Sequence, residues 1–511
     1  MEALTGIFMI KKRAGVLMHI TSLPSKYGVG TFGKEAYEFV DFLSKAKFSI
    51  WQILPLNLTS YGDSPYQSPS NYGYSFYLID LDLLKDKGLL KEEDYKDVKL
   101  FDVENRVNYE LLFKNKIPLL RKAFLNFKPD KEFVSFLNNN PNISDFAFFM
   151  TLKEINNYAP WNIWDAKYKN YSEKLEEEIK AQYKDIYEFY MWTQYEFLNE
   201  YFALKNYANK NGVSIMGDIP IYLAYDSVEC YKYPELFQFD ENHNPTKVAG
   251  CPPDCFSEDG QLWGNPLYNW EYHQKTNYKW WNERINSALK LYDFVRIDHF
   301  RGFSGYYSIP FKDNTARNGV WVKGPGFDLF KDKLNYPIIA EDLGFMDDDF
   351  IDLMKKVKYP GMKIVTQGLM ANDFDEWRVR NYDERFFSYT STHDSETVVQ
   401  YLNNLNLHDA EIVNDNLKKD CIYFKIDVSD INTLKGKVDL INEANLASNA
   451  LVSMFEIQDL LYIGKEGRMN LPSTLSTDNR SFRLTKEQFE KEKDLISSKF
   501  SKMIIKYNRV N

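Results

Sequence analysis

Short apolar runs that end in a polar residue recur along the chain and set its predicted architecture. Eight of them are found, at residues 15–19, 50–54, 213–218, 294–298, 337–341, 362–366, 386–392 and 451–455. Apolar runs of this length are typical of strands that are buried on both faces, as in parallel sheets. Helical periodicity lies between several of the runs, so we expect eight parallel strands that alternate with helices.

The clearest helical pattern begins near Leu175 and ends at Asn211-Gly212. Glycine after the last periodic residue is typical of a helix end. The large side chains recur mostly every three or four residues, at Ile179, Tyr183, Ile186, Tyr190, Phe197 and Tyr201. We therefore expect one long helix over this segment.

Eight strands with interposed helices predict an α/β fold, the (β/α)8 or TIM barrel. The strand spacing is uneven, because residues 56–212 separate the second and third strands, far more than a βα loop needs. This stretch carries helical periodicity, so we expect an inserted helical subdomain there. Residues 224–290, richer in Pro, Gly and aromatic residues, form a second predicted insertion. The whole chain, 1–511, is expected to be one barrel with these insertions.

Composition and charge exclude several classes of protein. The 511 residues are 44% hydrophobic and 27% charged, as in ordinary globular domains, and the net charge is −10. That balance argues against a general binder of nucleic acid or of anionic membranes. No long uncharged apolar window and no convincing signal peptide are seen, so we expect a cytoplasmic protein that does not span a membrane. Cys251 and Cys255 lack the spacing of zinc ligands, so we expect no metal.

Aromatic residues are abundant, with 37 Phe, 36 Tyr and 10 Trp. One interpretation is compositional drift together with core packing. The other is a site in which rings stack against sugars or bases.

Acidic residues close several of the predicted strands, namely Asp218, Asp298, Glu341 and Asp394. In such barrels the chemistry lies at the carboxyl ends of the strands. Arg296 and Asp298 are two residues apart on a strand, so they point to the same face, and the guanidinium should lower the pKa of Asp298. That suits a nucleophile. Glu341 ends an apolar run, where a raised pKa would suit a general acid.

His393 and Asp394 close a third strand, where they can bond sugar hydroxyls, and Asp394 can oppose developing positive charge. Two carboxyls with pKa values pushed apart are what glycoside chemistry needs, with net retention when one of them attacks the anomeric carbon. Each acid taken alone also fits a capping or solvated role. The combined order of Arg-x-Asp, Glu and His-Asp at strand ends favours catalysis.

Over nearly its whole length the sequence resembles the amylomaltases, the 4-α-glucanotransferases of the α-amylase clan. The motifs that carry the resemblance are HITSLPSKYGVGTFG (19–33), WQILPL (51–56), YGDSPYQS (61–68), GDIPIYLAYDS (217–227), PPDCFSEDGQLWGNPLYNW (252–270), FVRIDHFRGF (294–303), WVKGPG (321–326), AEDLG (340–344), STHDSET (391–397) and RMNLPST (468–474).

The resemblance implies roles for individual residues. Asp298 would be the nucleophile, Glu341 the general acid/base and Asp394 the stabiliser of the transition state. Arg296 would hold Asp298. The other substrate-binding residues it implies are Asp218 and Tyr66 beside the cleaved bond, His393 beside Asp394, Tyr61 at a second glucan-binding site, Trp263 and Asn265 on the acceptor side, and Asp254 and Phe256 on a lid loop within 224–290.

The resemblance further implies a (β/α)8 barrel without a separate C-terminal β-sandwich, no cofactor, and 1,4-α-glucans and maltooligosaccharides as partners. A monomer or homodimer is expected. The chain departs from the family pattern at Cys255 in the lid loop, at Val320, at Ser395-Glu396, and at Arg480 after Asn479, where tryptophans are common. None of these departures touches the three carboxylates.

Two rival functions remain open at this point. A retaining α-glucan enzyme of the same clan that is mainly hydrolytic would use the same carboxyls, because water and a glucan hydroxyl compete for the intermediate. A catalytically silent glucan-binding protein is the other rival, and the intact Asp298, Glu341 and Asp394 argue against it.

Overall fold

The computed structural model describes residues 11–253, 257–472 and 474–510. The strands within these ranges are β1 (Arg13–Leu17), β2 (Ile50–Gln52), β3 (Ser214–Ile219), β4 (Lys247–Cys251), β5 (Gln261–Pro266), β6 (Phe294–Ile297), β7 (Gly305–Pro310), β8 (Val320–Lys323), β9 (Ile338–Ala340), β10 (Gly361–Ile364), β11 (Phe386–Tyr389) and β12 (Val452–Glu456).

Eight of these strands form one parallel sheet in the order β10-β11-β12-β1-β2-β3-β6-β9. All eight apolar runs of the sequence correspond to its strands. At the seam between β9 and β10, the backbone N–H of Ala340 donates to the carbonyl of Pro360 at 2.9 Å. The carboxylate of Asp342 accepts from the N–H of Met362 across the same seam at 2.7 Å. The sheet is therefore a (β/α)8 barrel, and the predicted fold class is confirmed.

Large apolar side chains fill the inside of the barrel. The buried cluster there takes its members from seven of the eight strands, among them Ile50, Met216, Phe294, Ile339, Met362, Phe387, Val452 and Met454. The strand β1 contributes Gly15 instead, because a Cβ at that position would lie 2.6 Å from the sulfur of Met454. This dense packing fixes the strand ends rigidly.

Helices dominate the segment between β2 and β3. Their bounds are Leu81–Asp86, Glu92–Tyr95, Tyr109–Leu111, Ile117–Asn126, Lys131–Asn139, Pro141–Ile155, Ala166–Lys169, Glu173–Gln182 and Lys184–Lys210. The helices elsewhere are Lys34–Ala46, Val228–Lys232, Trp270–Lys275, Lys279–Leu291, Asp348–Val357, Val365–Gly368, Val398–Asn404, Leu407–Tyr423, Leu434–Ala447, Ile457–Leu460 and Lys486–Lys506.

The long helix expected from Leu175 onward is two helices. Ser172 caps the first, since its hydroxyl accepts from the N–H of Leu175 at 3.1 Å. Tyr183 then leaves helical geometry, with φ −118° and ψ 41°, and the second helix starts at the next residue. The expected stop is found at Gly212, where φ is +76°. Both helices bury residues of the same periodic pattern, so the spacing does not reveal the break.

A second sheet was not predicted. Its order is β5-β4-β7-β8, and its strand pairs are antiparallel. Two strands come from the predicted insertion 224–290 and two follow β6, so the sheet crosses the expected boundary. The division of the chain into a barrel and two inserted subdomains remains a prediction.

Across the described ranges, no helix is both long enough and apolar enough to cross a membrane.

Candidate active site

The carboxyl ends of the barrel strands surround a cavity of about 700 Å³. Three predicted carboxyl residues line it together, Asp298 after β6, Glu341 after β9 and Asp394 after β11. The predicted residues Arg296, Tyr66, Trp263 and Asn265 also line this cavity. Seven of the predicted site residues therefore share one cavity, which we call the catalytic cavity.

Arg296 joins two carboxylates at the floor of the cavity. It is the register partner of Asp218 on the neighbouring strand, which places the two side chains beside each other. One guanidinium nitrogen lies 2.6 Å from Asp218 Oδ2 and another lies 2.9 Å from Asp298 Oδ1. The side chains of Arg296 and Asp218 are 4% and 0% exposed, whereas that of Asp298 is 29% exposed. The planar fork thus holds Asp298 towards the cavity from a buried anchor.

Tyr66 connects the anchor to the His393 side of the site. Its hydroxyl donates to Asp218 Oδ2 at 2.8 Å and lies 2.9 Å from His393 Nε2. The two rings are nearly parallel, with centroids 6.0 Å apart. Burial raises the pKa of the Tyr66 hydroxyl well above its usual value, and Asp218 adds to this, so Tyr66 stays a neutral donor.

Backbone amides hold the Glu341 carboxyl group in place. The N–H of His299 donates to Oε2 and the N–H of Leu343 donates to Oε1, each at 2.8 Å. His299 adopts the left-handed conformation, with φ +49°, which is uncommon outside glycine and clusters at functional sites. The two amides restrict the orientation of Glu341.

The pKa of Glu341 is raised to about 7. Burial is the largest cause; Arg296 opposes the rise, and the negative charge of Asp298 adds to it. The two backbone hydrogen bonds lower the pKa but do not cancel the effect of burial. Glu341 can therefore exchange a proton near neutral pH, as the sequence led us to expect.

Asp394 remains ionised, in contrast to Glu341. Desolvation raises its pKa, but the neighbouring His393 and the hydrogen bond from Asn470 outweigh this and leave the pKa below its usual range. Asn470 donates its amide to Oδ1 at 2.6 Å, and His393 Nε2 lies 3.2 Å from Oδ2. A fixed negative charge in a partly closed cavity can stabilise positive charge that develops nearby.

Two further predicted residues form part of the cavity wall. The Trp263 ring meets His299 edge-on, with centroids 4.9 Å apart, and its indole N–H donates to Gln261. Asn265 donates to the carbonyl of Leu223 at 2.8 Å and accepts from Gln67 at 3.1 Å. Trp263 offers an aromatic surface and Asn265 a rigid polar one.

Not every predicted residue lies in the cavity. Asp218 and His393 are buried behind it. Asp218 contacts the lining residues Arg296 and Tyr66, and His393 contacts Tyr66 and Asp394. The backbone of Tyr61 begins a short helical turn, Tyr61–Asp63, and its side chain lies outside the described part of the protein. Asp254 and Phe256, predicted for a lid loop, lie outside the described residues, as does Cys255.

Sequence reasoning missed two residues of the site. Asn470 lies in the RMNLPST motif, but its contact with Asp394 joins residues 76 positions apart. His299 follows the predicted nucleophile directly, and its backbone amide holds Glu341. Both residues lie inside motifs that carry the family resemblance. The motifs do not indicate which residues Asn470 and His299 contact.

The departures from the family pattern have different surroundings. Glu396 lies 3.8 Å from Arg468 and accepts from Asn404 at 2.6 Å, so it is engaged within the protein. The Ser395 hydroxyl bonds to the backbone of Thr392. Arg480, by contrast, lines the catalytic cavity. The altered C-terminal motif therefore places an arginine in the lining of the site.

Comparison with known proteins assigns the chain to a family. A family model described as 4-alpha-glucanotransferase, glycoside hydrolase family 77, matches residues 18–488. The 4-alpha-glucanotransferase of Clostridium butyricum is 42% identical over 93% of this chain and 97% of its own length. That of Streptococcus pneumoniae serotype 4 is 41% identical, over 94% of each chain.

A solved structure supports the same assignment. The amylomaltase from Streptococcus agalactiae, determined in complex with acarbose, is 37% identical and superposes with a TM-score of 0.91. The superposition covers 98% of this chain and 100% of that one. With the barrel and the three carboxyls in one cavity, these matches show that the chain belongs to the 4-α-glucanotransferases of glycoside hydrolase family 77.

Proposed function

We propose that the protein transfers a segment of a 1,4-α-D-glucan to the 4-hydroxyl of an acceptor glucan or of glucose, by a retaining double displacement. The observation that carries the proposal is the shared cavity of Asp298, held by the Arg296 fork, and Glu341, whose pKa is about 7. The family assignment and the acarbose complex of the S. agalactiae amylomaltase agree with a glucan as substrate.

In the first step, Asp298 attacks the anomeric carbon of the bound glucan. Its Oδ1 is paired with Arg296, so the proposed attacking atom is Oδ2. A bond forms between Oδ2 and C1, and the glycosidic C1–O4 bond breaks. The proton of Glu341 passes to O4 of the departing chain, which leaves as an alcohol.

In the second step, the 4-hydroxyl of an acceptor attacks C1 of the glycosyl-enzyme. The hydroxyl proton passes to the Glu341 carboxylate, and the bond from C1 to Asp298 breaks. Two inversions give net retention and restore both carboxyl groups.

Asp394 is proposed to stabilise the positive charge on the sugar ring in both transition states. Asn470 and His393 keep it ionised and oriented. Tyr66 is proposed to bind the sugar next to the cleaved bond, offering its ring from the cavity wall. Asp218 is proposed to act from behind that wall, where it accepts from the Tyr66 hydroxyl.

Transfer outcompetes hydrolysis where the site holds an oriented sugar acceptor and excludes water. The half-buried ring of Trp263 and the fixed amide of Asn265 supply an acceptor surface on this wall. The alternative, a mainly hydrolytic enzyme, would not prefer a sugar acceptor over water in the second step. The cytoplasmic location and the monomeric or homodimeric state remain predictions of the sequence.

Maltotriose as sole substrate separates transfer from hydrolysis. Transfer yields glucose and a ladder of longer maltooligosaccharides, with no net rise in reducing ends. A steady rise in reducing ends with little ladder would support the hydrolytic alternative and contradict the proposal.

A second experiment tests the covalent intermediate. In Glu341→Gln, a glucosyl fluoride needs no acid to leave, but the second step lacks its base, so glycosyl-Asp298 should accumulate. Mass spectrometry of the intact protein and of the peptide containing Asp298 would show the added sugar. The matched control, Asp298→Asn/Glu341→Gln, should show none; a sugar on another residue would refute the assigned nucleophile.

A further inference from the structure

A second cavity, of about 260 Å³, lies outside the catalytic cavity and shares no lining residue with it. We call it the Trp280 cavity. The aromatic residues that line it are Tyr72, Tyr233, Tyr272 and Trp280. Its size lies just below the roughly 300 Å³ at which small-molecule sites begin, which suits a compact ligand such as one sugar ring.

Two of the four aromatic rings of this cavity already have cationic neighbours within the protein. The Lys232 ammonium lies 5.7 Å from the ring centroid of Tyr233, and the Arg284 guanidinium lies 5.5 Å from that of Trp280. In both contacts the cation is attracted to the face of the aromatic ring, as in a cation–π interaction. These two rings are therefore less available to an organic cation than unpaired rings would be.

The polar lining excludes anions and disfavours metals. Carboxyl residues outnumber the one lysine in the lining, Lys279, so a phosphate or sulfate would be repelled. Asp145 already accepts from Lys232 and from the Tyr233 hydroxyl, each at 2.6 Å. No group of three or more His, Cys, Asp or Glu suited to a metal ion is found in the described part of the chain.

Glu229 is the most deeply buried carboxyl residue of the cavity lining. Its side chain is among the most buried, and Oε1 accepts from Ser70 and from the N–H of Asn71. Oε2 has no hydrogen-bond partner among the described residues. Burial raises the pKa of this carboxyl to about 7, so it can serve as either donor or acceptor.

We propose that the Trp280 cavity is a further carbohydrate site, distinct from the one that the resemblance implies at Tyr61, and that it binds a glucosyl residue of a 1,4-α-glucan. The C–H face of the sugar packs on Trp280 and Tyr272, and its hydroxyls bond to carboxyl groups of the lining, among them Glu283. The identity of the sugar rests on the proposed function, whereas its neutral polyhydroxylated character rests on the cavity itself.

The wall of the Trp280 cavity also holds a segment of the catalytic cavity. Glu229 binds Ser70 and Asn71, and the N–H of Val228 donates to the carbonyl of Pro69 at 2.9 Å. The same stretch of chain carries Tyr66 and Gln67 into the catalytic cavity. A glucan bound in the Trp280 cavity therefore contacts Val228 and Glu229, the residues that hold this stretch of the catalytic cavity wall.

Counting binding sites tests the proposal directly. In Asp298→Asn, which blocks turnover, calorimetric titration with maltotriose should resolve two classes of site. Adding Tyr272→Ala or Glu283→Gln should weaken one class by about tenfold, which corresponds to about 1.4 kcal/mol. The matched control is Tyr423→Ala, an aromatic residue that is 61% exposed on a different helix, and it should leave both classes unchanged.

Two results of the titration itself would overturn the proposal while the proposed function stands. One is a single class of site in Asp298→Asn. The other is two classes that neither Tyr272→Ala nor Glu283→Gln affects. Displacement of maltotriose from the weakened class by choline would reassign the cavity to organic cations and overturn the sugar assignment. Failure of the proposed function appears separately, as a native protein that does not disproportionate maltotriose.

Discussion

The Arg296 fork provides the sharpest test of how the site is held together. Arg296→Gln removes the cation that neutralises Asp218, whose side chain is 0% exposed. Removing one partner of a buried ion pair costs about 3–5 kcal/mol, because the other charge is left unpaired. The contact with Asp298 adds less, since that side chain is 29% exposed and such pairs contribute about 0–1 kcal/mol. We therefore expect the free energy of unfolding to fall by about 3–5 kcal/mol.

Chemical denaturation followed by tryptophan fluorescence measures this loss. Asp218→Asn/Arg296→Gln is the matched control, because it removes the buried charge together with its partner and should recover a substantial part of the loss. Arg296→Lys keeps the charge but cannot reach both carboxylates as a fork, and it should lie between native and Arg296→Gln.

The same substitution has a second, independent effect. Arg296 lowers the pKa of Glu341, so Arg296→Gln should move the alkaline limit of any remaining activity to higher pH. A loss of stability below about 1 kcal/mol, or strict additivity in the double variant, would refute the idea that Arg296 neutralises Asp218.

Three further predictions follow from the contacts of the site. Because the proposed first step requires a protonated Glu341 and its pKa is about 7, kcat/KM should fall as the pH rises through about 7; a flat profile up to pH 9 would contradict its proposed role as acid. Asn470→Ala removes a hydrogen bond to ionised Asp394, worth about 1.5–3 kcal/mol, so kcat/KM should fall roughly ten- to hundredfold and the acid limit should rise; unchanged kinetics would exclude Asn470 from the site. Tyr66→Phe breaks the hydroxyl contacts to Asp218 and His393 and should reduce kcat/KM by up to about tenfold, in contrast to Tyr423→Phe as a distant control.

The barrel could be predicted from the sequence because its strands are buried on both faces and appear as continuous apolar runs. The second sheet could not, since β8 is largely exposed and the first four residues of β5 alternate between half-buried and exposed positions. Short strands of this kind are defined by their partners, which the local sequence does not reveal. The helix break at Tyr183 was missed for a related reason, because the periodicity continues across it.

The predicted strand ends located the catalytic cavity, since parallel strands bring their carboxyl ends to one side of the barrel. The i, i+2 spacing of Arg296 and Asp298 was enough to predict their contact. The contacts from Tyr66 to Asp218 and from Asn470 to Asp394 span 152 and 76 residues. Nothing in the spacing of residues specifies such pairs. The resemblance placed Tyr66 at the site, whereas Asn470 was not predicted to lie there.

The seam between β9 and β10 gives the barrel an uneven resistance to local opening. Seven strand pairs are joined by ladders, whereas this junction relies on the Ala340–Pro360 hydrogen bond and on the Asp342 carboxylate. Local unfolding begins where few backbone bonds must break, so amides at the seam should exchange with solvent faster than those of the β1–β12 pair. Glu341 follows β9 directly at one edge of the seam. Gentle heating should therefore displace Glu341, the proposed proton donor, and abolish activity before the rest of the barrel unfolds.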